Sequence, residues 1–243
     1  MYAALMDVTP LFEDKELYEK SCLMVSEQRR KKAHKYSIYK DKCRSVGAGI
    51  LLNLCLGEYL VKSGQNEGYS TRGWKDAIDY YVGKIPVINM KKALNCVDES
   101  LNWNMKFHEH GKPYFDESDN NNNVDSNIRF SLSHSGKYVA CAVSDHNVGI
   151  DVEGDRKVNA GIARKYFTHN ERNNIMTDED FFKIWTLKEA YGKITGKGVY
   201  RGMKQDVFEL GDMYEAISIR YENYYIGLLE DKAMELEITE VSP

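Results

Sequence analysis

The sequence predicts an α+β protein of two similar halves, each a helix with a small sheet. Three observations lead there. The run "KDKCRSVGAGILLNLCLGEYLVKSG" repeats Val46, Ile50, Leu51, Leu54 and Leu60 at helical spacing and reaches a stop at Gly64. "RFSLS" and "KYVACAVS" alternate around a Ser-Gly turn, the pattern of two paired strands. Finally, "SLSHSGKYVACAV" from Ser131 and "SIRYENYYIGLLE" from Ser218 match at several offsets. In both, Ser and an aliphatic residue are followed by Tyr before an aliphatic-small pair. The repeat is a hint only, since hairpins resemble one another.

The remaining elements follow in order. "AALMDV" predicts a first strand and "DKELYEKSCLMVSEQRRKKAHKY" a helix with a basic end. Residues 66 to 105 carry many aromatics and Pro86, give no clear element pattern and leave room for an insertion. "MKFHEHGKPYF" predicts a short strand broken by a Gly-Lys-Pro turn, and "DESDNNNNVDSN" a mobile polar loop. "NVGIDVE" predicts a third strand after the hairpin. Two helices and a hairpin around Glu222-Asn223 close the second half. The boundary falls between residues 147 and 148: 1–147 is the N-terminal half and 148–243 the C-terminal half.

Composition narrows the function classes. The 243 residues carry a formal net charge of -4, which argues against a general nucleic-acid binder. Five scattered cysteines (Cys22, Cys43, Cys55, Cys96, Cys141) form no CxxC pair and read as free thiols of a reducing compartment. No apolar stretch reaches the roughly 18 residues of a membrane span, and the N-terminus makes a poor signal peptide. The expectation is a cytoplasmic, soluble protein without a membrane or nucleic-acid partner.

Four stretches carry possible chemistry. On a strand, "VGIDVE" turns Val148, Ile150 and Val152 one way and Gly149, Asp151 and Glu153 the other. Carboxylates two residues apart on a strand are about 7 Å apart at the backbone and can converge on one hard cation such as Mg²⁺. The alternative is an exposed strand edge with two solvated acids. In "FFKIWTLKEAYGKITGKG", Ile184, Leu187, Ala190, Tyr191 and Ile194 share one helix face, and Trp185, Lys188, Glu189 and Lys193 the other. Glu189 and Lys193 make a favourable surface pair, but a solvated face rarely includes Trp, and two lysines flanking one acid also suit a ligand. "SLSHSGKY" sets Ser133, His134 and Lys137 about a turn, either a plain hairpin or a set of phosphate donors. Between Arg29 and Arg44 lie eight Lys or Arg, either a solvated helix face or an anion grip. His108 and His110 lack an evident third ligand and are set aside.

In this order the stretches resemble the signature of 4'-phosphopantetheinyl transferases of the surfactin-synthetase type. That signature is Gly-aliphatic-Asp-aliphatic-Glu and, further along, Trp or Phe, two spacers, Lys-Glu-Ala or Ser, and a closing Lys. "VGIDVE" and "WTLKEAYGK" match both parts, and "HGKPYF", "FSLSHSGKYV" and "SEQRRKK…YKDKCRS" are similar to the family as well. The resemblance runs from about Ser26 to Gly198. It implies a pseudo-twofold fold of two α/β halves with coenzyme A in the cleft between them, and a monomer. It implies transfer of the phosphopantetheine arm of coenzyme A to a serine hydroxyl of an apo acyl or peptidyl carrier protein. Adenosine 3',5'-bisphosphate is released.

Residue by residue, Asp151, Glu153 and Glu189 match the family's ligands for Mg²⁺ or Mn²⁺. Glu189 is also the position implicated as general base; a metal-bound water or another acid is the alternative. Lys193 matches a lysine at the phosphate, and Lys188 and Asp151 join it in the coenzyme A set. Ser133 and His134 match phosphate contacts, Lys112 and Arg44 nucleotide-end contacts, and Lys32 and Arg29 contacts to the 3'-phosphate. The carrier is expected on "VYRGMKQDVF", through Val199, Tyr200, Met203, Phe208 and Arg201 or Lys204. Two rival functions are a coenzyme A or nucleotide-binding module without catalysis and a nucleic-acid binder using the basic patch.

Overall fold

The computed structural model describes residues 1–64, 74–96, 105–107, 113–115, 127–158, 160–196 and 204–232. In chain order the first elements are β1 (Tyr2–Asp7), α1 (Thr9–Glu13), α2 (Lys15–Leu23), α3 (Glu27–His34), α4 (Tyr39–Lys62) and α5 (Trp74–Ala77). Then come β2 (Ile78–Val82), β3 (Ile85–Asn89), α6 (Met90–Ala93), β4 (Met105–Phe107), β5 (Pro113–Phe115), β6 (Arg129–Ser135) and β7 (Tyr138–Ser144). The last are β8 (Val148–Gly154), α7 (Ala160–Tyr166), α8 (His169–Asn173), α9 (Asp178–Thr195), a 3-10 helix (Val207–Asp212), β9 (Tyr214–Tyr221) and β10 (Tyr224–Asp231).

The strands form a five-stranded sheet ordered β2-β3-β1-β7-β6, a three-stranded sheet ordered β8-β10-β9, and the pair β4-β5. Among the described residues only β1 and β3 run parallel, and the other pairings are antiparallel. The α+β expectation holds. The two larger sheets face one another, with α4 behind the first and α9 behind the second.

Side-chain alternation builds these layers. Along β1, Ala4 and Met6 enter the core under α4, while Ala3 and Leu5 enter the core between the sheets. Strand β7 divides Val139, Cys141 and Val143 from Tyr138, Ala140 and Ala142 in the same way. On β10, Tyr224, Ile226 and Leu228 face the first sheet, and Tyr225 and Leu229 face α9. A strand covered on both faces reads as an almost unbroken apolar run.

The sheets are also joined by a row of serines on β6. Ser131 Oγ accepts from the Ile150 amide (3.1 Å), Ser133 Oγ donates to Asp151 (2.7 Å), and Ser135 Oγ accepts from the Gly154 amide (3.0 Å). Strand alternation points all three at β8.

Three expectations change. The helix foreseen from Asp14 to Tyr36 is two helices, because Ser26 caps α3 by accepting from the Arg29 amide (3.2 Å). The second half holds α7, α8 and α9 rather than two helices, and Thr168 and Thr177 each open one with a reciprocal capping box. Helix α4 is long and apolar enough by composition to cross a membrane, yet its face is packed against β1, β7 and α3 as a core helix.

Candidate active site

Two glycines allow α9 to lie directly on the second sheet. A Cβ on Gly149 of β8 would fall 2.1 Å from the Ala190 carbonyl oxygen, and one on Gly227 of β10 would fall 2.5 Å from the Thr186 carbonyl carbon. Gly227 is the registered partner of Asp151, and Gly149 precedes Asp151 by two positions on the same face. The backbone of α9 therefore sits over the acidic face of β8. The space that Gly149 leaves holds helix backbone.

Trp185, Glu189 and Lys193 recur every four residues and run back along β8. The Trp185 indole N–H donates to Glu153 Oε1 (3.4 Å) at one end. At the other, the Lys193 ammonium donates to the Ile150 carbonyl (2.7 Å) and to Asp151 Oδ1 (2.9 Å). Glu189 lies between them.

Asp151 is 6% exposed, and Ser133 and Lys193 both engage its Oδ1, whereas its Oδ2 is buried without a partner. Glu153 Oε2 accepts from Ser135 Oγ (3.2 Å), and Oε1 from Trp185 and from Arg156 Nη2 (3.3 Å). Burial and then the Asp151 charge raise the Glu153 pKa. Burial and the same Asp151 charge push Glu189 up to about 7, against the opposing pull of Lys193. A carboxyl in that range exchanges its proton near neutral pH, as a general base requires.

His134 lies at the end of β6 beside this cluster. Desolvation lowers its imidazole pKa, and the Arg44 and Lys193 cations lower it further. Arg44 is fixed by donating to the Gly136 carbonyl (2.7 Å) and by pairing with Asp41. Ser133, His134, Arg44, Asp151, Glu153, Glu189 and Lys193 thus belong to one connected neighbourhood. Arg29 and Lys32 form a second group on α3. Arg29 is 8% exposed, with Gly49 of α4 against its side chain, and desolvation lowers its pKa. Lys32 is held below the usual lysine value by desolvation and by Arg29.

Lys188 is not brought to the cluster. Its side chain is 1% exposed and donates to both Glu171 oxygens and to the Gln205 carbonyl, all at 2.8 Å. Three donors are thereby used, so the coenzyme A contact expected of Lys188 is corrected to a buried structural ion pair. The shared polar face foreseen for α9 is corrected with it: Trp185 is also buried, stacked on Phe181 and Phe167. Lys137 is likewise engaged elsewhere, with Asp7 (3.3 Å) and Glu222 (3.1 Å). Lys112, His108, His110, Val199, Tyr200, Arg201 and Met203 lie outside the described residues. Phe208 and Lys204 are exposed.

Sequence reasoning missed Ser135, Glu171 and the indole N–H of Trp185. Ser135 was legible as the third serine on one face of β6. Glu171 was not, because its partner Lys188 lies on another helix.

Among the described residues, no three His, Cys, Asp or Glu side chains already close on a single ion. The placement of the carboxylates gives the reason. Asp151 Oδ1 is occupied by Lys193 and Ser133, and Glu153 is turned toward Ser135, Trp185 and Arg156. The donor set nonetheless fits a hard divalent cation. It consists of three carboxylates from one strand and one helix, and the buried Asp151 Oδ2 lacks any donor.

Residues 147–230 match the family model of the 4'-phosphopantetheinyl transferase superfamily. The chain is 34% identical over 133 residues to the 4'-phosphopantetheinyl transferase gsp of Aneurinibacillus migulanus, covering 52% of this chain and 52% of that protein. It is 35% identical over 91 residues to psf-1 of Bacillus pumilus, covering 35% and 39%. To Sfp of Bacillus subtilis (strain 168) it is 34% identical over 76 residues, covering 29% and 34%. Both relatives are also named 4'-phosphopantetheinyl transferases. These matches span about half or less of each relative's length.

Proposed function

We propose that this chain, which is similar to the 4'-phosphopantetheinyl transferases, moves the phosphopantetheine arm of coenzyme A onto a serine of an apo acyl or peptidyl carrier protein. The observation that carries this reading is the alignment of Asp151, Glu153, Glu189 and Lys193 where α9 crosses β8. The serine oxygen bonds to phosphorus as the pyrophosphate P–O bond breaks, and adenosine 3',5'-bisphosphate leaves. Glu189, with its pKa near 7, takes the serine proton. Lys193, already at the acidic face, offsets charge on the transferring phosphoryl group. His134 supplies a further donor at the same edge, Arg44 and Lys112 are assigned to the nucleotide end by the resemblance alone, and Arg29 and Lys32 to the 3'-phosphate.

Asp151 Oδ2 and Glu153 are the groups that would hold Mg²⁺ or Mn²⁺, and Glu189 would complete the set only where a metal-bound water or another acid takes the serine proton in its place. A divalent cation supplies charge neutralisation of the pyrophosphate when bound. Residues 1–147 and 148–243 are read as pseudo-twofold halves with coenzyme A between them, in a cytoplasmic monomer. The carrier docks on the segment that includes Lys204 and Phe208.

The test is to incubate the protein with coenzyme A, Mg²⁺ and a panel of apo carriers and to weigh each carrier. A gain of one phosphopantetheine mass on at least one carrier is expected. Tight coenzyme A binding without transfer to any carrier would instead make the chain a non-catalytic coenzyme A module.

A further inference from the structure

We infer that Ser135 and Trp185 are positioning residues that hold Glu153 from two sides, so that its carboxylate is oriented before any cation arrives. The inference rests on the proposed metal role of Glu153.

The Ser135 hydroxyl has little rotational choice. Its oxygen accepts from the Gly154 amide (3.0 Å), and its proton is directed to Glu153 Oε2 (3.2 Å). The amide that orients the hydroxyl follows Glu153 in the chain, so the serine is tied to the strand it braces. Trp185 acts from the opposite side. Its ring is 8% exposed and lies almost parallel to Phe181, with an interplanar angle of 7° and centroids 6.3 Å apart. Phe167 stacks on it as well, at 26°. These stacks fix the ring plane without using the indole N–H. A buried indole N–H needs an acceptor, and Glu153 Oε1 is the one it reaches, at 3.4 Å. Arg156 also touches Oε1, but its side chain is 57% exposed and such a pair contributes little.

Glu153 is therefore braced through one oxygen by β6 and through the other by α9. Ser135 uses one of the two lone pairs on Oε2 and leaves the other for a ligand. Residues that orient a metal ligand typically change metal affinity by 10- to 100-fold when removed, without contacting the metal.

The test compares the wild-type chain with Ser135→Ala, Trp185→Phe and the double variant. Phenylalanine keeps an aromatic ring on Phe181 and deletes the N–H donor, but it also leaves part of the indole volume unfilled, which the thermal midpoint reports. Binding of Mn²⁺ alone is followed by electron paramagnetic resonance, and folding by the thermal midpoint. Each single variant should weaken Mn²⁺ binding severalfold, and the double variant by about 10- to 100-fold. The thermal midpoint of Ser135→Ala should stay close to wild type. In the carrier assay, the Mg²⁺ concentration for half-maximal rate should rise while the rate at saturating Mg²⁺ recovers.

Wild-type Mn²⁺ affinity in a folded Ser135→Ala protein and in the double variant would overturn the clamp while leaving the metal reading intact. Absence of Mn²⁺ binding by the wild-type chain would overturn both. A rate that stays low at saturating Mg²⁺, with unchanged Mn²⁺ affinity, would also overturn the clamp. Should Trp185→Phe fold poorly, Ser135→Ala alone decides the question.

Discussion

Lys193 donates to one oxygen of Asp151 at 2.9 Å, while the other oxygen of the same carboxylate is buried without a partner. The carboxylate is thus half-neutralised by a cation from α9 and half-available. Replacing Lys193 with Met removes the phosphate-facing charge of the proposed reaction. Transfer should fall by about 10²- to 10³-fold, the usual cost of losing one such donor. Single-turnover rates at saturating coenzyme A and carrier would check this. A near-wild-type rate would remove Lys193 from the chemistry.

The raised Glu189 pKa has a consequence for stability. Burial and the Asp151 charge favour the protonated form in the folded protein, so its pKa of about 7 lies above that of the unfolded chain. Between the ordinary carboxylate range and about pH 7 the folded state binds more protons, and stability must fall as pH rises. Glu189→Gln removes this titration. Without divalent cations, the midpoint of the variant should gain on wild type between about pH 5 and pH 8. A constant difference across that window would refute the raised pKa.

The close approach of α9 to the second sheet depends on Gly149 and Gly227. A methyl at either site collides with helix backbone rather than with a flexible side chain. Gly227→Ala should cost about 1–3 kcal/mol, the common range for overpacking, and should lift Glu189 and Lys193 from β8. Urea midpoints report the first effect and transfer assays the second. A variant with native stability and native activity would contradict the packing.

Lys188 and Glu171 form the buried ion pair among the described residues that links α9 to α8 and to the 3-10 helix. Glu171 also accepts from the amides of Thr168 and Val207, each at 2.8 Å. Lys188→Met leaves that carboxylate buried without its cation and should destabilise the fold by about 3–5 kcal/mol. The variant that remains folded at low temperature should keep its KM for coenzyme A. A selective rise in that KM with native stability would restore Lys188 to the ligand site.

Much of this molecule was legible in one dimension. The strands around Gly136 and Glu222, the long helix α4 and the core-facing Val148, Ile150 and Val152 all follow from periodicity, because local spacing determines which residues share a face. The acidic face of β8 was legible for the same reason. Periodicity failed where a face has more than two environments. It placed Lys188 and Glu189 on one broad polar face, yet consecutive helix residues still point about 100° apart. One therefore meets Glu171 and Gln205 while the other faces β8. Spacing also could not show that Trp185 stacks on Phe181 and Phe167 and donates to Glu153.

By itself, then, the sequence determined the first strand, the hairpins around Gly136 and Glu222, the long helix α4, the alternating faces of β8, and the residue types that could share a charge-handling strand and helix. Tertiary structure alone decided the partners. Two glycines on adjacent strands admit the backbone of α9, and that contact sets Asp151, Glu153, Glu189 and Lys193 together. The physical reason is range. Side-chain alternation acts over a few residues, whereas the proton affinity of Glu189 depends on burial and on a charge from a distant strand.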